Sequence, residues 1–157
     1  MKFIDFAILK LHFDLNDDFK EDKEEKDTLV PQIAINHEFR EKEKQLVVFL
    51  GLRQNTGNIP YRYEIKSGSI FQFDNIPDEK TLKQLATINC PAIMFPYIRE
   101  TIADLTRRAG FPPLHLDPIN FIELAKKREA KKQKEIQVKV ENPKTTPRNR
   151  HSKKIKV

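Results

Sequence analysis

Gln45-Leu46-Val47-Val48-Phe49-Leu50-Gly51-Leu52-Arg53 sets the fold class, because six of its nine residues are large and apolar with no polar face between them. A run this short, rich in β-branched and aromatic side chains, reads as a strand covered on both faces. Downstream, Gln54-Asn55-Thr56-Gly57-Asn58 is a turn cluster. After it Tyr61, Tyr63 and Ile65 alternate with Arg62, Glu64 and Lys66 up to Gly68, and Ile70, Phe71 and Phe73 follow. Upstream, Pro31 fits a strand start, and Ile33, Ile35, His37 and Phe39 repeat with period two. Further upstream, Leu9, Leu11, Phe13 and Leu15 face one way while Lys10, His12 and Asp14 face the other. Between these two strands Asp17 to Asp27 is a charged loop whose one apolar residue is Phe19.

The period then changes. Leu82, Leu85 and Ala86 have helical spacing, and Ile98, Ile102, Leu105 and Ala109 form one apolar stripe. Gly110 marks the C-terminal stop of that helix, whereas Pro91 and Pro96 predict that it starts late or is kinked near them. Phe111-Pro112-Pro113-Leu114 must be extended, since a residue before proline is pushed out of the α region. Asp117 followed by Pro118 reads as the start of a last helix, running through Leu124 and fraying among lysines. Four strands followed by helices predict an α+β fold with an antiparallel sheet; a doubly wound fold would interleave them.

Composition bounds the rest. A chain of 157 residues suits one domain and an appendage, and eleven Phe within a hydrophobic fraction of 38% can build its core. The charge is uneven. From Lys126 onward ten Lys and three Arg oppose Glu129, Glu135 and Glu141, a net +10, so a whole-chain charge of +6 leaves −4 on the preceding 125 residues. An acidic body argues against nucleic-acid binding across the folded surface, which needs its cations there. After about Glu135 the charge density with Pro143 and Pro147 predicts disorder, so the expected division is a domain at 1–135 and a disordered basic tail at 136–157.

Little in the sequence carries chemistry. Cys90 is the one cysteine, which excludes an internal disulfide and fits a reducing, cytoplasmic compartment. Asp5 and Lys10 interrupt the first apolar residues before signal-peptide length, and no run is long enough for a membrane span. His12, His37, His115 and His151 lack ligand spacing, so no zinc site is expected. Cys90 has no spaced His or Asp partner, and four glycines leave none for a phosphate loop. Arg99 and Glu100 are adjacent, point in different directions on a helix and cannot pair with each other; they read as structural or interface charges. The protein is read as a non-enzyme without cofactors.

Cys90-Pro91, Phe95-Pro96-Tyr97, Arg99-Glu100, Gly110-Phe111-Pro112-Pro113-Leu114 and Pro118-Ile119-Asn120-Phe121 together resemble the SecB export-chaperone family, as does the step Gly68-Ser69-Ile70-Phe71 after a strand. The close match covers about Tyr63 to Phe121, while the first sixty residues agree in strand order more than in identity. The resemblance implies a four-stranded antiparallel sheet with helices packed on one face, assembled as a dimer of dimers (a homotetramer). It implies an ATP-independent holdase that binds unfolded preproteins for export and hands them to SecA. By resemblance, Tyr61, Tyr63, Ile65, Phe71, Phe73, Phe111 and Leu114 contact the client, and Asp14, Arg62 and Glu64 contact SecA or another partner. Tyr63, Ile65, Ile98, Ile102 and Leu105 are placed at the oligomer interface. Core, interface and groove use the same residue types, so the aromatic positions remain open among the three.

Two departures from the family stand out. Arg62 replaces a usual apolar residue, and a Lys/Arg-rich tail replaces the family's C-terminal SecA-docking segment. Two other functions therefore stay open: a chaperone dedicated to an antitoxin or other single client, and an adaptor touching nucleic acid or ribosomes through Lys126 to Val157. The tail has no aromatic residue to stack on bases, so any such binding is unspecific.

Overall fold

The computed structural model describes residues 1–20 and 31–141, with side chains to residue 134. The chain divides into two compact units, Met1–Ile122 and Glu123–Val157. In the first unit β1 (Lys2–Leu15), β2 (Gln32–Arg40), β3 (Gln45–Gln54) and β4 (Tyr61–Gln72) form one antiparallel sheet in the order β1-β4-β3-β2. The strand read as covered on both faces, β3, is thus central, and the chain's first strand, apolar as it is, lies at an edge.

Alternation decides which side chains reach the core. Leu46, Val48, Leu50 and Leu52 of β3 and Tyr63, Ile65 and Phe71 of β4 point to one face and are buried. There they meet the helical layer, from which Met94, Ile98 and Ile102 are buried in turn. Each such side chain contributes roughly 1.5–3 kcal/mol by leaving water. β3 departs from the two-sided burial its sequence predicts. On the opposite face Val47 is buried beside its cross-strand neighbours Ile70 and Glu38, but Phe49 is only half-buried and Arg53 is exposed. The continuous apolar run reflects a central position in the sheet more than a second helical layer.

The helical layer begins with α1 (Glu79–Gln84), where Asp78 accepts from the Thr81 amide at 3.0 Å and from its hydroxyl at 2.6 Å. A π-helical turn, Leu85–Asn89, leads directly into α2 (Cys90–Arg108). The helix therefore passes through both prolines instead of starting after them. Pro91 lacks an amide hydrogen and its ring crowds the preceding turn, and the wider π turn, closed by the Cys90 amide on the Leu85 carbonyl, lies where that crowding falls. At the other end Gly110, at φ 88°, stops the helix as expected: its amide donates to Arg107 O at 3.1 Å and the Phe111 amide to Thr106 O at 3.0 Å. Buried Thr106 adds a second fastening, its hydroxyl oxygen accepting from the Leu114 amide at 2.9 Å, which pins the Pro-Pro segment against α2.

The last helix, α3 (Phe121–Glu141), starts three residues after the predicted Pro118. Asn120 is the reason: its side chain accepts from the Ile122 amide at 3.1 Å, the bond of an N-cap. Residues 136–141, expected within a disordered tail, continue this helix, in keeping with the high helix propensity of the Ala, Lys, Gln and Glu before them. The rest of the predicted tail, and most of the charged loop between β1 and β2, lie outside the described residues.

Candidate functional site

β1 pairs with β4 alone, so the main-chain groups along its other side have no strand partner among the described residues. An edge of 14 residues without proline is a long template for another chain, and although Lys2, Asp5, Lys10 and Asp14 charge it, large apolar side chains between them stay exposed. Ile4, Leu9, Leu11 and Leu15 are 55%, 53%, 48% and 59% exposed. The simple alternation predicted for this strand is broken by register shifts between Phe3 and Asp5 and between Ile8 and Lys10. Leu11, Phe13 and Leu15 stand opposite Ile65, Tyr63 and Tyr61. Leu9 instead lies against Gly68 on the other face, its Cδ1 3.0 Å from where a Cβ on that glycine would stand. The bulge thus gives both faces of the edge an apolar residue.

Aromatic clusters extend this surface at both ends of β1. Near its start Tyr97, exposed on α2, lies 4.9 Å from the Phe6 ring and 6.0 Å from the Phe3 ring, and Ile93 is exposed one turn before it. Near its end Phe13 stacks on Tyr61 at 5.4 Å, and Tyr61 meets Phe111 at 5.1 Å. At the rise of a strand the two clusters are roughly 30 Å apart. What joins them is the edge itself: an apolar track with an unpaired backbone.

The sheet face away from the helices is different in kind. Lys10 and Glu64 pair at 2.8 Å, and this hydrogen bond holds the Glu64 carboxyl below the usual carboxylate range. Arg62 donates to the Asn16 side chain at 3.0 Å, and His12 lies against Asp14. Lys66 sits 5.3 Å over the Phe49 ring. A shallow depression of about 340 Å³, floored by Ala34 and Gly51 and walled by Phe49, Arg53, Glu64 and Lys66, occupies the middle of this face. The predicted partner residues Asp14, Arg62 and Glu64 do share this face, beside a second depression of the same size.

The residues predicted for client and interface contact fare otherwise. Tyr61, Tyr63, Ile65, Phe71 and Phe73 are buried inside the subunit and have almost no area left for a client. Among that set Phe111 and Leu114, both half-buried, keep accessible surface. Likewise Tyr63, Ile65, Ile98 and Ile102 are core residues of one subunit, not an interface, and Leu105 is half-buried. The physical reason is that β4 is central and the stripe of α2 faces the sheet. The accessible positions that sequence reasoning missed are Phe3, Phe6, Ile93 and Tyr97; Tyr97 lay within a quoted motif, but only the sheet order puts it beside an edge. Burial also pushes the Cys90 thiol up to about 12, far from a reactive thiolate. Among the described residues no group of three His, Cys, Asp or Glu is placed to hold a metal ion, and no helix is long and apolar enough to cross a membrane.

Comparison with known proteins places these features. The family described as Preprotein translocase subunit SecB matches residues 18–134. The Protein-export protein SecB of Dinoroseobacter shibae is 37% identical over 98 residues, 59% of this chain and 56% of the relative. That of Burkholderia vietnamiensis is 48% identical over 77 residues, 49% of this chain and 48% of the relative. These matches span about half the length of the curated relatives. Among solved structures a Mycobacterium tuberculosis SecB-like chaperone, in complex with a peptide from an antitoxin, superposes with a TM-score of 0.55 at 18% identity, covering 75% of this chain and 86% of that one. A protein of unknown function from Streptococcus agalactiae gives 0.50 at 16% identity, over 74% and 95%. At these identities the two structures establish the fold.

Proposed function

The chain belongs to the SecB family of preprotein translocase subunits, and from that premise we propose that it is an ATP-independent holdase that keeps precursor proteins unfolded for export. The observation that carries the reading is the apolar track of β1 with its aromatic ends at Phe3, Phe6 and Tyr97 and at Phe13 and Phe111. An extended chain docks on such a surface through main-chain pairing and shallow side-chain contacts. Burying one large side chain yields roughly 1.5–3 kcal/mol, and fixing one residue of backbone costs about 1–2 kcal/mol. The near-cancellation means that many contacts on a long client are needed, and that short peptides bind weakly. Holding by such contacts needs no nucleotide or catalytic group, which supports a non-enzymatic chaperone.

The same edge supports assembly. Two β1 strands pairing across a twofold axis would satisfy each other's main-chain groups and cover part of the exposed leucines, leaving the aromatic clusters at the ends of the strand for the client, and the dimer of dimers would form through a second, different surface. Asp14, Arg62 and Glu64, together on the polar sheet face, are the proposed SecA contact. The decisive assay is aggregation of a chemically unfolded protein: stoichiometric amounts of this chain are expected to slow it. Unchanged aggregation at a several-fold excess refutes the holdase reading.

A further inference from the structure

Arg99 is set apart from the other arginines of the first unit. Arg40 pairs with Glu38, Arg62 with Asn16, and Arg107 and Arg108 both with Asp104, while Arg53 is exposed. Arg99 is half-buried, yet among the described residues it has no hydrogen-bond or ion-pair partner. It stands at the rim of a pocket of about 250 Å³ between α2 and the segment leading into α3, whose walls include Phe95, Pro96, Ile119 and Phe121. The Phe95 and Phe121 rings meet edge to face at 6.0 Å and give the pocket a rigid wall. No carboxylate is among its lining residues. A guanidinium holding five donors in a planar fork beside an apolar hollow is a receptor for a carboxylate that arrives attached to an apolar group.

We infer that this pocket takes the C-terminal residue of a bound polypeptide, its apolar side chain between Phe95, Ile119 and Phe121 and its α-carboxylate on Arg99. Stereochemistry selects the end of a chain over an internal acidic residue. In an extended peptide an Asp or Glu next to an apolar residue turns its carboxylate to the opposite side, and one two positions away faces the same side but stands roughly 7 Å along the chain, farther than a terminal carboxylate from its own side chain. Only a terminal residue bears an apolar side chain and a carboxylate on the same Cα. The hollow has room for one large side chain and not for a helix, again the shape of a single-residue site. The inference rests on the reading that this protein holds polypeptides, and it adds an end-specific contact to an otherwise sequence-tolerant surface.

The test uses the full chain and two short probes, acetyl-Ala-Ala-Ala-Phe as the free acid and as the carboxamide, titrated by calorimetry. The free acid is expected to bind about tenfold more tightly, the value of a charge-assisted hydrogen bond. R99Q should erase the difference, and R99K should keep part of it because charge survives while the fork is lost. Equal binding of acid and amide overturns the inference, as does no binding of either. So does an R99Q chain that keeps the preference. If R99Q instead lowers the assembled mass in light scattering and leaves the preference intact, a carboxylate of a second copy occupies Arg99 and the inference falls. The wild-type aggregation assay reports separately. A chain that prefers the acid but fails to slow aggregation loses the holdase function and keeps this site.

Discussion

β4 and β1 lie side by side and are of similar length, and β1 is the more apolar of the two, yet it is β4 that fills the core. β4 is paired on both sides, and its inward residues vanish into the core. β1 is paired on one side, and its leucines face water. Hydrophobicity alone does not tell a stabilising residue from a binding one. The number of strand partners does, because it fixes whether the subunit consumes its own apolar surface or leaves it for others.

The sharpest way to break this contrast is to truncate one residue on each strand. Phe71→Ala in β4 should cost about 3–5 kcal/mol of stability, the transfer of a ring plus the cavity it leaves. Leu11→Ala, at a half-exposed edge position, should cost under about 1 kcal/mol in urea denaturation. Comparable losses would mean that β1 is already covered in solution. Leu11→Lys separates the cases: it should lower the assembled mass in light scattering while leaving the circular dichroism of the subunit intact.

A second contrast appears in alkali. Burial raises the Cys90 thiol to about 12 and raises the Tyr61 and Tyr63 phenols as well. Since the folded state favours the protonated forms, their contribution is complete below the unfolded thiol value near 9 and is lost as pH climbs toward the folded values. The melting temperature should therefore fall progressively above about pH 9. Cys90 should react with a thiol reagent only as fast as the core opens. Prompt labelling at neutral pH would contradict the buried centre.

Next in size is the fastening of the Pro-Pro segment. Thr106→Val keeps the shape but leaves the Leu114 amide without its acceptor, and about 1–3 kcal/mol is expected for an orphaned buried group. A loss below 0.5 kcal/mol by denaturation, roughly the scatter of neutral surface changes, would show that water replaces the hydroxyl.

These contrasts also explain what the sequence disclosed. The runs at 45–53 and 61–66 and the Gly110 stop are local patterns, and local chemistry suffices for them: alternation for the strands, a left-handed residue for the cap. The strand order is not local. Nothing in Leu9-Lys10-Leu11-His12-Phe13 says that it pairs with residues fifty positions later, so its exposure is not legible there, and neither is the burial of Tyr63 and Phe71. The prolines misled for a related reason. Pro91 and Pro96 weaken a straight helix, but the helix runs through both, with a π-helical turn where the ring of Pro91 crowds the turn before it. The candidate site was thus legible in its residue types and hidden in its positions.

The smallest effect tests the polar face. Lys10 and Glu64 pair at 2.8 Å but are 54% and 34% exposed at their side chains, so water and salt screen the attraction. Glu64→Gln should leave the denaturation midpoint at neutral pH within error. The lowered Glu64 carboxyl value gives its sign: any stabilisation is present above the unfolded carboxylate range and disappears as pH falls through the folded value, so the variant should differ from the parent least in acid. The same substitution should matter more for a charged partner, because a surface charge steers encounter even where it adds little to folding. If Glu64→Gln moves neither the rate nor the salt dependence of the proposed association with SecA, the polar face is a solvated wall and partner contact must be sought on the apolar edge.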